Sequence, residues 1–164
     1  MAFSFNAEEM FEMAERIERN GAKFYRTAAE AISEASIRRR LVELAAWEEE
    51  HEKTLAAMRA QLTAEERTPT AFDPDEQSGL YLAAMADRRV FDVSSDPTAL
   101  LTCKETLAEI LQGALGREKD SVVFYTGMLE YVPKRLGKDR IEGIIREEMG
   151  HIALLSKELR ALSP

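Results

Sequence analysis

The chain has only two histidines, His51 and His151, and each stands three residues after a glutamate, Glu48 and Glu148, in the runs EEEH and EEMGH. The same step of 100 residues relates ERNGAKFY, which begins at Glu18, to EKDSVVFY, which begins at Glu118. On a helix each histidine lies one turn from its glutamate on the same face. All four glutamates are in phase with apolar residues. Glu18 lies among Ala14, Gly21 and Tyr25, and Glu48 between Leu44 or Ala45 and Leu55. Glu118 lies between Ala114 and Val122, and Glu148 between Ile144 or Ile145 and Ile152. A fold that buries the apolar stripes must bury these carboxylates too.

The rest of the chain fits an all-α fold. Asn6 and Glu9 have capping-box spacing, and Met10, Met13, Ile17, Gly21, Phe24, Ala28 and Ile32 continue a helical stripe of about 26 residues. Ser33 or Ser36 can cap a second helix carrying Leu41, Leu44, Ala45, Leu55, Met58 and Leu62. Thr102 and Glu105 form another capping box, for a helix through Leu107, Leu111, Ala114, Val122, Tyr125 and Leu129 that should end near Pro133. A fourth helix follows Gly137 and carries Ile141, Ile144, Ile145, Ile152, Leu155 and Leu159. Between the pairs, residues 63–98 are turn-rich, with a short helix expected in LYLAAMADRR. The expected architecture is one domain of 164 residues, a four-helix bundle made of two antiparallel hairpins (about 6–62 and 99–162) joined by a long crossover.

Residues equidistant from a hairpin turn stand level. Glu18 and Glu48 are each 15 residues from Ser33, and Glu118 and Glu148 are each 15 from Pro133. At ~1.5 Å per residue each pair sits roughly 22 Å along its hairpin, so four carboxylates and two imidazoles converge near mid-bundle. One unpaired buried charge already costs several kcal/mol, and the stripes offer no Lys or Arg at that level. Two divalent cations would balance four glutamates. Carboxylates with one imidazole per ion suit iron or manganese, zinc being a further candidate, and leave positions open to an oxygen species. The alternative is a bundle whose glutamates face solvent or are protonated.

At these residues the sequence resembles the ferritin-like di-iron carboxylate superfamily, and most closely its rubrerythrin-like proteins. Their pattern is a Glu on the first and third helices and E-x-x-H on the second and fourth, matched by Glu18, Glu48 with His51, Glu118, and Glu148 with His151. The resemblance implies two iron ions, with Glu48 and Glu148 bridging, Glu18 and Glu118 terminal and one histidine on each ion. It also implies an oxidoreductase that reduces hydrogen peroxide or dioxygen in oxidative-stress defence. Two departures matter. Rubrerythrins proper carry a four-cysteine rubredoxin-like domain, whereas this chain has only Cys103, so electrons must come from another protein or a small reductant. They also carry an extra glutamate one turn after the third-helix ligand, where this chain has Ser121. The six-residue set is that of bacterioferritin-type centres, which makes ferroxidase or iron-storage chemistry the first alternative. A metal-free structural bundle is the second.

Other residues have more than one reading. Tyr25 and Tyr125 follow Glu18 and Glu118 by two turns and can hydrogen-bond a bridging carboxylate across the bundle, or be core tyrosines. Gly21 and Ser121 are small where an oxidant would need access, though Gly21 also suits close helix packing. Trp47 points off the glutamate stripe and reads as a packing or helix-interface residue. A formal charge of −8 argues against nucleic-acid and anionic-membrane partners, and the arginines at 38–40 read as a solvated face. The acidic N-terminal stretch and lone cysteine suggest a cytoplasmic protein. The crossover length suggests a homodimer, with exchange of hairpins between chains as an open arrangement.

Overall fold

A computed structural model of the chain describes residues 6–68, 96–99, 101 and 104–162. Among them are four α-helices, α1 (Ala7–Ala31), α2 (Ala35–Ala60), α3 (Leu107–Met128) and α4 (Asp139–Ala161), with a 3-10 turn at Lys134–Leu136 and no strand. Helix α1 packs along α2, α3 packs along α4, and α1 also touches α3. This is the expected ferritin-like four-helix bundle. The crossover helix expected in LYLAAMADRR, and Cys103, lie outside the described residues.

The ends of the helices follow local chemistry. Asn6 and Glu9 form the expected box, each side chain bonding the other's backbone N–H. Helix α3 starts later than expected, at a closed box of Thr106 and Glu109, which repeat the Thr-x-x-Glu spacing of Thr102 and Glu105 four residues on; Thr102 lies outside the described residues. Helix α2 uses neither Ser33 nor Ser36 as its cap. Glu34 takes the N-cap position without a side-chain bond to the backbone, and Ser36 Oγ donates to the Glu34 carboxylate instead. Before α4, Gly137 closes the 3-10 turn at φ 74°, a conformation glycine adopts without a Cβ clash.

The first hairpin is antiparallel, as its ion pairs show. Glu12 pairs with Arg59 at 2.6 Å, Arg19 with Glu52 at 2.5 Å, and Arg26 with Glu49, so partners move up one helix as they move down the other. These exposed pairs set register more than stability. Stability comes from two apolar clusters. One includes Met10, Phe11, Leu55, Met58, Phe124 and Met128, and the other Phe24, Leu41, Leu44, Ile110, Leu111 and Ala114. Between these clusters along α1, α2 and α3 lie Glu18, Glu48, His51 and Glu118. The bundle is thus two apolar blocks with a polar layer at mid-height.

Leu44 is fully buried in the second cluster, while Val42, two residues away, is 50% exposed. Leu44→Ala should lower unfolding free energy by about 2–5 kcal/mol in urea denaturation, and Val42→Ala should change it by under about 0.5 kcal/mol.

Candidate metal centre

The structure brings all six expected residues together. Glu18, Glu48, His51, Glu118, Glu148 and His151 are each at most 4% exposed. They form two overlapping groups, Glu18–Glu48–His51–Glu148 and Glu48–Glu118–Glu148–His151, and within each group one potential ligand atom per residue lies within 4.8 Å of the others. Glu48 and Glu148 belong to both groups. Glu18 and Glu118 belong to one each.

Both imidazoles turn Nδ1 inward. His51 Nδ1 is 3.3 Å from Glu18 Oε2 and 3.0 Å from Glu148 Oε1, while His151 Nδ1 is 3.0 Å from Glu148 Oε2 and 3.5 Å from Glu118 Oε2. Glu148 therefore offers one oxygen to each histidine. Among the described residues no Lys or Arg pairs with any of the four carboxylates. Glu15, one turn before Glu18, shows the contrast: it too is buried, but Arg59 Nε sits 2.7 Å from its oxygen.

Glu48 Oε1 and Glu148 Oε1 are buried with no hydrogen-bond donor, the His51 contact of the latter lacking hydrogen-bond alignment. A buried carboxylate oxygen without a donor costs about 1–3 kcal/mol or more. These two atoms belong to the two carboxylates that the groups share, whereas Glu15 Oε1, which also lacks an aligned hydrogen bond, faces the Arg59 guanidinium. Four hard carboxylates and two borderline imidazoles, with lone pairs to spare where the groups overlap, fit two divalent first-row ions.

The two tyrosines are fully buried and cross between hairpins, Tyr25 Oη donating to Glu118 Oε1 and Tyr125 Oη to Glu18 Oε1. Their acceptors are thus the unshared carboxylates of α3 and α1, because α1 and α3 face each other across the bundle, whereas the sequence suggested a shared one. Burial, then the neighbouring carboxylates, pushes both hydroxyls well above the usual tyrosine range, so they remain donors. Gly21 is small for a specific reason: a Cβ there would lie 2.3 Å from Glu48 Oε2. The Glu48 carboxylate occupies the space that a side chain would take. Ser121 is buried on α3.

Two neighbours have roles that helix phase does not reveal. Glu147, 64% exposed, places Oε2 at 2.7 Å from His51 Nε2. Trp47, 44% exposed, lies flat on His151, with ring centroids 4.8 Å apart and planes within 5°. Both positions point off their own helix's stripe and meet a histidine of the other hairpin. The only signal for them in the sequence is the step of 100 that links 47 to 147.

Charge is shared among these groups even without metal. Burial foremost, then repulsion from Glu18, Glu148 and Glu118, pushes Glu48 well above the usual carboxyl range. Burial likewise raises Glu18, and raises Glu118 to about 8. Burial works against the imidazolium, but contacts with Glu148 and Glu18 outweigh it and hold His51 at about 11; Glu118 and Glu148 similarly hold His151 at about 9. Glu148 is held below its ordinary value, since the Glu118 carboxyl and the two imidazoles close against it overcome its burial.

No protein-family model matches the sequence, and no curated protein matches it. The structure does match a solved one, a protein of Thermotoga maritima provisionally described as a ferritin-like diiron-carboxylate protein. The TM-score is 0.78 at 22% identity, covering 99% of this chain and 100% of that one. The likeness shows a common fold. No described helix is long and apolar enough to cross a membrane.

Two outcomes follow. In metal-free protein Glu18, Glu48, Glu118 and both histidines bind protons more tightly folded than unfolded, so the stability they contribute is present at low pH and lost as pH rises, through about 8 for Glu118, about 9 for His151 and about 11 for His51. Glu148 has the opposite sign, but its window lies below 4.5. The melting temperature of chelator-treated protein should therefore fall from about pH 6 to about pH 9, while affinity for added metal rises over the same range because the ligands must shed protons. Gly21→Ala should push the Glu48 carboxylate aside. We expect it to weaken metal uptake about ten-fold or more in equilibrium dialysis while leaving the helical circular dichroism intact.

Proposed function

We propose that this chain is a di-iron carboxylate protein that reduces hydrogen peroxide or dioxygen, with electrons supplied by an external protein or small reductant. The observation that carries the reading is the pair of buried oxygens without donors on Glu48 and Glu148, the two carboxylates common to both ligand groups. In this reading Glu18 and His51 hold one ion, Glu118 and His151 the other, and Glu48 and Glu148 both. Held there, two ferrous ions would supply the two electrons needed, with two protons, to reduce hydrogen peroxide to two waters.

The chain's own groups do the rest. The Tyr25 and Tyr125 hydroxyls fix the orientation of Glu118 and Glu18 by donating to one oxygen of each, which leaves the other oxygen for an ion. With Nδ1 inward, His51 keeps its proton on Nε2, where the exposed Glu147 carboxylate accepts it and links the buried layer to solvent. The apolar clusters above and below exclude water from the layer.

Ferroxidase or iron-handling chemistry is the second reading. It is favoured by Ser121, a buried residue where the rubrerythrin pattern has one more carboxylate. Storage needs a closed shell, so a dimer or small oligomer by light scattering would exclude it.

Elemental analysis of protein purified without chelators should find about two equivalents of iron per chain, rather than manganese or zinc. Anaerobically iron-loaded protein should oxidise on adding peroxide faster than free ferrous iron, and return to the ferrous state with a reductant. Oxidation no faster than free iron would remove the peroxidase reading. If replacing Glu48 and Glu148 with leucine stabilised the fold and cost no bound metal, the chain would be a metal-free structural bundle.

A further inference from the structure

The hairpins are related by the step of 100, and the contacts around the histidines repeat with it. Residue 47 meets His151, and residue 147 meets His51. The two residues are of different kinds, a tryptophan and a glutamate. We propose that Trp47 and Glu147 make the two halves of the metal centre unequal, the half around His51 binding its ion first and more tightly. This rests on the di-metal reading above.

Glu147 acts through the far side of the ring. With its oxygen 2.7 Å from His51 Nε2, it accepts that N–H and keeps that proton in place, so that Nδ1 is the nitrogen bared when an ion binds, and makes Nδ1 a stronger donor. It thus serves as a positioning residue. Trp47 lies parallel to the His151 ring, so it covers the ring's face rather than its edge. A stacked indole orients the imidazole and shields one side from water, but it places no acceptor in the plane of the Nε2–H bond. Nδ1 of His151 gains no basicity from it. The immediate oxygens do not offset this, since Glu148 lies 3.0 Å from each Nδ1 and each ring has one unshared glutamate nearby.

The chain's two histidines make the ordering directly observable. Full-length protein, stripped of metal and labelled with 15N at histidine, would be titrated with zinc(II), a redox-inert probe, while following both imidazoles by NMR. Trp47→Phe assigns them, because His151, stacked on that ring at 4.8 Å, feels the larger change in ring current. We expect the His51 nitrogens to reach their bound shifts over the first equivalent and those of His151 over the second. Glu147→Gln should weaken the first step about ten- to hundred-fold and merge the two, and Trp47→Glu, which gives His151 its own carboxylate, should merge them by strengthening the second. Glu147 is exposed, so its substitution spares the core. The proposal is overturned if both histidines move together from the first addition, if His151 moves first, or if Glu147→Gln leaves both steps unchanged. If neither histidine responds and no zinc is retained, the di-metal reading itself falls and the inference with it.

Discussion

Four carboxylates are buried at one level of a helical bundle with no lysine or arginine paired with them among the described residues, and the rest of the structure is arranged around that charge. Burying even one such group without compensation costs several kcal/mol. Where this protein buries a carboxylate for structural purposes, as at Glu15, it supplies Arg59. At mid-height it supplies two imidazoles, two tyrosine hydroxyls and shared protons, and still leaves an oxygen each on Glu48 and Glu148 without a donor. The two apolar clusters must hold this layer closed, since the layer alone is unfavourable.

That division also explains why small details recur near the layer. Gly21 lacks a side chain because the Glu48 carboxylate needs its space. Tyr25 and Tyr125 join the hairpins through α1 and α3, so each unshared glutamate is steered by the opposite hairpin. Neither hairpin has a complete carboxylate group of its own: each ligand group draws from both.

Much of this was legible in the sequence because two periodicities coincided. The 3.6-residue stripe placed Glu18, Glu48, Glu118 and Glu148 inward, and equal distances from the turns placed them level. What escaped was whatever depends on contact between hairpins. Trp47 and Glu147 lie off the stripe of their own helices, and phase within one helix cannot report which residue of the other hairpin comes to meet it. The tyrosine acceptors stay open in the sequence for the same reason, since the facing of α1 and α3 decides them. The start of α3 was ambiguous locally, with two Thr-x-x-Glu boxes four residues apart and equal claims to be the cap.

The difference between Trp47 and Glu147 has a consequence for how such a layer can be assembled. Were the same layer formed by two identical hairpins meeting as separate molecules, one residue would have to occupy both places, and any change at one would be copied at the other. Encoding both hairpins on one chain removes that copying. Each flank can then vary alone, so a nearly symmetric set of ligands can sit within asymmetric surroundings.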